Sequence, residues 1–221
     1  TTRADYEGES PLGQQYRLRG NKMWISAGEH ELSDNIVHLV LAKIPGPDGK
    51  LIPGVKGISL FIVPKYLVNE DGSCGAFNNV VTASIEHKLG IRSSTTAVLN
   101  FGEGGDCIGY LCGTVENVGM KQMFQMMNGA RIEVGVQGLA VASTAYHNAL
   151  AYARERKQGS SVKRFKDPNA PRVNIIEHSD VRRMLLEMKA KVEGMRALVV
   201  KLAFNEDMAH ALRAEGRNDE A

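Results

Sequence analysis

The chain has 221 residues, of which 43% are hydrophobic and 24% are charged, proportions that are ordinary for a folded globular protein. Its formal net charge is only +2 and no long basic run is interleaved with aromatic residues, which argues against nucleic-acid binding. No apolar stretch approaches the ~20 residues of a membrane-spanning helix. The three cysteines, Cys74, Cys107 and Cys112, form neither a CxxC pair nor a Cys/His cluster, so no metal site is expected. Unpaired thiols are typical of a reducing compartment.

In the first part of the sequence, residues 1–113, turn-forming residues separate short runs, as is typical of an all-β domain. The alternating runs "YRLRG" and "KMWISA" meet at Gly20 and Asn21, a pair that suits a tight hairpin turn. Four further strands are predicted from the runs "IVHLVLAKI", "GISLFIVP", "VVTASIEHKL" and "TTAVLNFG". Short strands separated by polar loops predict a small β-barrel or β-sandwich.

From Thr114 onward, apolar residues recur every three or four positions, which indicates helices. The first stripe predicts a helix between Glu116 and Lys157, which would be about 63 Å long at 1.5 Å per residue. A second stripe begins near Val181, and either Ser179 or Asp180 can cap that helix. Between the two helices lies a long loop at about residues 159–177, and loops of this length are usually functional or mobile.

The predicted fold class is therefore α+β. A small β-barrel or β-sandwich domain over residues 1–113 precedes long antiparallel helices of an incomplete helical bundle over residues 114–221. Two helices alone cannot bury both of their apolar faces, so further helices or a second copy of the chain are expected to cover them. The chain begins without methionine, which leads us to expect a piece of a longer protein.

Four collinear segments resemble the acyl-CoA dehydrogenase family. They are "GNKMWISAG", "HKLGIRSSTTAVLNF", "MMNGARIEVGVQGLAVASTAYHNALAYARERKQG" and "EHSDVRRMLLEM", and together they extend from Gly20 to Met188. The chain departs from the family pattern where a phenylalanine should follow "ARERKQG" and where extra residues precede His178. This insertion and the segment "MMNGAR" resemble the branch that includes methylthiopropanoyl-CoA dehydrogenases.

The resemblance implies an enzyme with FAD as cofactor and an acyl-CoA thioester as substrate. In the family a carboxylate removes the α proton, the β hydride passes to flavin N5, and the electrons then pass to an electron-transfer flavoprotein. The same fold also serves acyl-CoA oxidases, flavin monooxygenases and non-catalytic members with a role in binding or assembly. The family further implies a homodimer or a dimer of dimers, in the bacterial cytoplasm or the mitochondrial matrix.

The resemblance also implies which residues face the flavin ring. They are Trp24, Ile25 and Ser26, and Ser26 stands where the family usually has a threonine that hydrogen-bonds flavin N5. The alternative is an ordinary core tryptophan followed by a serine in a turn.

Four more residues are implied to face the rest of FAD, namely Arg156, Gln158, His178 and Ser179. In the family this arginine reaches the pyrophosphate or adenosine of FAD in a neighbouring subunit, and a guanidinium suits two phosphate oxygens. The alternatives are a solvated helix end for "ARERK" and a helix cap for His178 and Ser179.

The first long helix is implied to carry the substrate site. Asn128, Gly129, Ala130 and Arg131 align with the segment that faces CoA and the thioester, while Phe124 and Met127 are candidates to line the acyl tunnel. The alternatives are a structural ion pair for Arg131 and core packing for the methionine-rich stripe.

No residue of the chain aligns with the catalytic base. In some relatives the base is a glutamate at the position of Ala130, and Glu133 falls on a different face of the helix. The base is therefore expected beyond Ala221, and the chain alone is expected to be inactive.

Overall fold

The computed structural model describes residues 1–164 and 166–220. Phe165, which falls in the predicted loop, and Ala221 lie outside the described residues. The chain divides into two compact units, Thr1–Met126 and Met127–Ala221.

The first unit is built around one seven-stranded antiparallel sheet with the strand order β3-β4-β9-β2-β8-β7, in which β1 pairs with β2. A separate hairpin is formed by β5 and β6. The nine strands are β1 (Arg3–Ser10), β2 (Gly13–Ser26), β3 (Val37–Ala42), β4 (Ser59–Pro64), β5 (Tyr66–Val68), β6 (Cys74–Phe77), β7 (Val80–Ile85), β8 (Thr96–Phe101) and β9 (Ile108–Leu111). The α+β class is confirmed, although over the described residues β3 and β7 are edges and the sheet does not close into a barrel.

The predicted hairpin at Gly20 and Asn21 is wrong, because β2 runs straight through both residues. The first half of β2 pairs with β1 and β9, and its second half pairs with β8. Gly20 has a φ of 149°, and a Cβ atom there would lie 2.8 Å from the Cα atom of Thr2. The glycine therefore serves a close approach between chain segments and not a turn.

The core of the sheet includes one fully satisfied polar residue. Asn78, which is 1% exposed, donates to the carbonyl oxygens of Pro64 and Ile108 at 2.7 Å each. Its own carbonyl accepts from the amide of Ile108 at 2.7 Å. Because a buried amide is costly unless its polar atoms are paired, these bonds hold β9 beside the end of β4.

Helix α1 (Gly119–Glu155) begins directly against β4. The amide of Gly119 donates to the carbonyl of Ile58 at 2.9 Å, and a Cβ atom on Gly119 would lie 2.5 Å from the carbonyl carbon of Ser59. The Ser59 hydroxyl accepts from the amide of Asn117 at 2.8 Å. The start of α1 is therefore fixed by backbone contacts that only glycine permits.

The second unit contains the rest of α1, the short strands β10 (Lys157–Ser160) and β11 (Arg172–Asn174), and helix α2 (Ser179–Ala214). The two long helices predicted from the apolar stripes are confirmed, and the predicted loop contains the antiparallel β10–β11 hairpin. Neither α1 nor α2, over the residues described, combines the length and apolar character that crossing a bilayer requires.

Candidate functional site

Trp24 lies in a bulge of β2. Lys22 pairs with Leu99 and Ile25 pairs with Ala97, so two residues of β2 face a single residue of β8. Trp24 has a φ of 58°, in the left-handed region that costs an L-residue roughly 1–2 kcal/mol. Its side chain is 69% exposed, which overturns the alternative of an ordinary core tryptophan. The bulge presents the indole on the surface of the first unit.

The two residues after Trp24 differ in their surroundings. Ile25 is half-buried and packs against the core of the sheet. Ser26 is exposed and pairs with Thr96 through its backbone, and its hydroxyl has no hydrogen-bond partner within residues 1–164 and 166–220. The end of β2 therefore presents the exposed indole of Trp24 and, two residues later, the Ser26 hydroxyl, which has no hydrogen-bond partner among the described residues.

A cavity of about 460 Å³ lies beside this strand, within the first unit. Ile25 and Ser26 line it together with residues of β3 and β8 and with Met126. Two polar residues in its lining, Lys22 and His38, were not predicted from the sequence. A lysine among apolar residues was visible in "NKMWIS", but its place in the cavity depends on the bulge, which periodicity does not reveal.

Lys22 reaches across the cavity. Its Nζ atom donates to the carbonyl oxygen of Leu41 at 2.6 Å, and burial lowers the pKa of this ammonium group. The lysine therefore gives up water contact to make one specific bond to β3.

His38 is 8% exposed, and its buried Nε2 atom has no hydrogen-bond partner among the described residues. Burial is the main cause that lowers the pKa of His38, and Lys65 and His30 lower it further while Glu29 raises it. Lys65 is itself paired with Glu29 at 2.5 Å. The imidazole is therefore held in its neutral form beside the cavity.

The residues implied for the remainder of FAD form a group of their own in the second unit. The His178 Nε2 atom lies 2.8 Å from the carbonyl oxygen of Gln158, and the carbonyl of Arg156 accepts from the amide of Ile175 at 2.8 Å. Ser179 is exposed and is the first residue of α2. The helix cap is His178, without a side-chain cap bond, so neither Ser179 nor Asp180 is the cap that the sequence suggested.

This group lies in the most basic segment of the chain. Residues 154–174 include seven lysines and arginines but only two acidic residues, whereas the whole chain has a net charge of +2. The side chain of Arg156 is exposed, and over the described residues it forms no ion pair. A segment with this charge is suited to bind anions.

The residues implied for the substrate lie on α1. Met127, Asn128 and Arg131 share one helix face by their spacing, and Arg131 approaches the side-chain oxygen of Asn128 at 3.5 Å. Phe124, one turn earlier, is 42% exposed. Gly129 is exposed and Ala130 is half-buried, and by spacing both fall beside that face.

Comparison with known proteins identifies relatives along the chain. Residues 117–217 match the family described as acyl-CoA dehydrogenase, C-terminal domain. A butyryl-CoA dehydrogenase of Syntrophomonas wolfei is 46% identical over 199 residues, which cover 88% of this chain and 32% of the relative. A 3-methylmercaptopropionyl-CoA dehydrogenase of Ruegeria pomeroyi is 49% identical over 186 residues, which cover 84% of this chain and 30% of the relative.

Solved structures give the same result at lower identity. An acyl-CoA dehydrogenase of Bacillus anthracis, solved in complex with FAD, is 26% identical with a TM-score of 0.62. The match covers 90% of this chain and 28% of that chain. The chain spans about a third of the length of the curated relatives it matches.

Proposed function

The chain belongs to the acyl-CoA dehydrogenase family, and we propose that it supplies the flavin-facing strand and the substrate-facing helix of an enzyme that oxidises the α,β bond of an acyl-CoA thioester. The observation that carries this proposal is the exposed indole of Trp24, held at a φ of 58° in a bulge beside the unused hydroxyl of Ser26. Residues with a strained backbone cluster at functional sites, and they persist only where the surrounding structure enforces the strain.

The residues of the first unit fit the ring system of FAD. When bound, FAD supplies the acceptor for the two electrons that leave the substrate. Trp24 would provide a flat apolar surface against the ring and exclude water from it, since its side chain is 69% exposed and available. Ser26 would donate a hydrogen bond to the ring, and Ile25 would fix both neighbours by its packing in the core.

The residues of the second unit fit the phosphates of FAD. Arg156 would hold the pyrophosphate through its guanidinium group, and Gln158, His178 and Ser179 would bind nearby polar groups. The support is the exposure of Arg156 and the excess of cations in residues 154–174. Arg156→Gln should weaken FAD binding several-fold, whereas Arg213→Gln, the same change at the far end of α2, should not.

The face of α1 would hold the substrate. Phe124 and Met127 would line the space for the acyl chain, and residues 128–131 would face CoA and the thioester. The support is the alignment of this segment with the family and its position near the start of α1. Because the two relatives named above are a butyryl-CoA and a methylmercaptopropionyl-CoA dehydrogenase, we propose a short acyl-CoA as substrate.

We propose that this chain does not contain the catalytic base. Abstraction of the α proton needs a carboxylate near the α carbon. Ala130 occupies the position at which some relatives carry that glutamate, and Glu133 lies elsewhere around the helix. The isolated chain, even when given FAD, should leave the flavin oxidised after addition of an acyl-CoA. Bleaching of the flavin in that experiment would contradict our assignment of the base.

We also propose that the protein forms a homodimer or a dimer of dimers. In the family, the arginine that aligns with Arg156 reaches the FAD of a neighbouring subunit. Large apolar side chains exposed along α2 support this assembly: Leu186, Leu198, Val200 and Phe204. Light scattering after size exclusion measures the assembly directly, and a monomeric protein would contradict it.

The proposed location is a reducing compartment, the cytoplasm of a bacterium. The relatives compared above come from bacteria, and Cys74, Cys107 and Cys112 are all free thiols.

The reaction is tested on the protein as its source produces it, purified with FAD and kept without oxygen. Butyryl-CoA, methylthiopropanoyl-CoA and a long-chain acyl-CoA are added separately while the flavin absorbance is recorded. Bleaching with a short acyl-CoA is the expected result. Bound flavin that no acyl-CoA bleaches would contradict dehydrogenation, and a protein without flavin would contradict the cofactor.

The electron acceptor is tested on the bleached protein. We propose an electron-transfer flavoprotein, so reoxidation should be fast with that protein and slow in air. Fast reoxidation in air with formation of hydrogen peroxide would instead identify an acyl-CoA oxidase.

A further inference from the structure

We propose that Lys22 is a positioning residue that holds the Trp24 bulge in place through its bond to the carbonyl oxygen of Leu41. The inference rests on the proposed function in one respect, because Trp24 and Ser26 are the proposed flavin contacts. Lys22 itself touches neither the flavin nor the substrate in this proposal, and it acts through the shape of β2.

The bond connects two strands that are not neighbours in the sheet. β2 and β3 are separated by β9 and β4 in the strand order, and the Lys22 side chain spans the cavity between them. β3 pairs with β4, and just beyond its end Lys43 forms a parallel bridge with Arg3 of β1. Within β3, Leu41 presents its carbonyl oxygen to the Nζ atom of Lys22 at 2.6 Å. The lysine therefore ties the bulged part of β2 to β3, a strand with which β2 forms no ladder pairing in the described part of the chain.

The bulge explains how Lys22 reaches the cavity at all. Residues three apart in a regular strand point to opposite faces, yet Lys22 and Ile25 both line the same cavity. The extra residue between them resolves this conflict, and it leaves Trp24 pointing outward. The bulge and the inward position of Lys22 thus require each other.

The bulge is restrained on both of its sides. Ile25 holds the far side by packing against the core, and Lys22 holds the near side by its bond to Leu41. Trp24 between them keeps a φ of 58°, a conformation that persists only where the surroundings enforce it. Loss of the lysine bond leaves the near side free to relax into regular strand geometry, which would turn the indole away from its present direction.

The test uses Trp24 as a reporter, because it is the only tryptophan of the chain. Lys22→Met removes the ammonium group but keeps the length of the side chain, and Lys22→Arg restores a cationic donor. Lys43→Met is the matched control, since Lys43 makes the same kind of bond, to the carbonyl of Ile52 at 2.6 Å, away from the bulge.

The readouts are the near-ultraviolet circular dichroism and the fluorescence anisotropy of Trp24, with far-ultraviolet circular dichroism to verify folding. Lys22→Met should lose most of the tryptophan dichroism and lower the anisotropy. Lys22→Arg and Lys43→Met should retain both signals. Equal signals in Lys22→Met and the wild-type chain would overturn the proposal.

A second variant decides the case in which Lys22→Met does not fold. Glycine adopts a positive φ without strain, so Trp24→Gly removes the need for a restraint. The double variant Lys22→Met/Trp24→Gly should fold, and the unfolding midpoint should respond less to the loss of Lys22 in this background. A double variant as unstable as Lys22→Met would overturn the proposal.

FAD titration separates this inference from the proposed function. If the protein as its source produces it binds FAD, Lys22→Met should raise the Kd several-fold and Lys22→Arg should restore it, while unchanged affinity in Lys22→Met would overturn the role of Lys22. If the protein as its source produces it binds no FAD, the proposed flavin site fails, and the Trp24 signals alone still decide whether Lys22 holds the bulge.

Discussion

The Nε2 atom of His178 lies 2.8 Å from the carbonyl oxygen of Gln158. Since a carbonyl oxygen can only accept, the imidazole carries its proton on Nε2 and donates it to this bond. A second bond, from the amide of Ile175 to the carbonyl of Arg156 at 2.8 Å, lies beside it. The Ile175 bond extends the pairing of β10 with β11, and the His178 bond attaches this hairpin to the start of α2.

His178→Ala should loosen this attachment. A hydrogen bond of this kind contributes about 1 kcal/mol, which corresponds to about a five-fold rise in the population of the detached hairpin. Trypsin should therefore cleave after Lys163 and Arg164, which lie in this segment, about five-fold faster in the variant. His147→Ala, which removes an exposed histidine of α1, is the control. Equal cleavage rates in the two variants would show that the bond does not hold the hairpin.

The class of the fold was predictable from the period of the apolar residues, and the reason is local. A helix repeats every 3.6 residues and a strand every two, so the change near Thr114 was visible without any knowledge of contacts. The predicted turn at Gly20 and Asn21 was wrong because a glycine can indicate either a turn or a close approach between two chain segments. A Cβ atom on Gly20 would lie 2.8 Å from the Cα atom of Thr2, so glycine is needed here for a close approach between two chain segments. The sequence alone does not distinguish this use of glycine from a turn.

The candidate site was predictable only in part for the same reason. The family pattern predicted Trp24 and Ser26 as flavin-facing residues. It did not predict the bulge or the positive φ of the tryptophan. Lys22 and His38 reach the cavity through strand pairings that join distant residues, such as Lys22 with Leu99. Such pairings are a property of the folded sheet, so periodicity along the chain could not show them.

Two glycines of α1 should respond in opposite ways to the same substitution. A Cβ atom on Gly119 would lie 2.5 Å from the carbonyl carbon of Ser59, whereas a Cβ atom on Gly135 would meet nothing within 4 Å. Gly119→Ala should therefore destabilise the chain by about 1–3 kcal/mol, the usual cost of overpacking. Gly135→Ala should stabilise it by roughly 0.5–1 kcal/mol, because alanine favours the helix interior.

Urea unfolding followed by circular dichroism measures both effects. Gly119→Ala should lower the midpoint and Gly135→Ala should raise it, without a change in slope. A higher midpoint in both variants would mean that the start of α1 is not packed against β4 as described.

The free cysteines should differ strongly in reactivity. Cys107 is 0% exposed, and burial raises the pKa of its thiol to about 12, so its thiolate fraction at pH 8 is on the order of 10⁻⁴. Cys74 is exposed, and Cys112 is half-buried. A thiol reagent at pH 8 should modify Cys74 first in the folded chain, and Cys107 should react only after addition of denaturant. Cys74→Ser should remove the fast phase, and rapid modification of Cys107 in the folded state would contradict its burial.

His38 should make the stability of the first unit depend on pH. Burial lowers the pKa of His38 below its ordinary value of 6.5. Between that lowered pKa and 6.5 the unfolded chain binds a proton that the folded chain does not, so the free energy of unfolding falls as the solution is acidified. Because one proton is involved, the free energy of unfolding changes by at most about 1.4 kcal/mol per pH unit. Above pH 6.5 the contribution of His38 no longer changes with pH.

His38→Leu should flatten this pH dependence. The Nε2 atom of His38 has no hydrogen-bond partner among the described residues, so its loss leaves no partner unsatisfied and the variant should remain stable at neutral pH. Urea midpoints of the wild-type chain, His38→Leu and the exposed-histidine control His87→Leu are compared at several pH values below 6.5 and at neutral pH. The wild-type chain and His87→Leu should lose more stability on acidification than His38→Leu does. An unchanged slope in His38→Leu would mean that a different group takes up the proton, and His38 would then have no part in the acid sensitivity of the sheet.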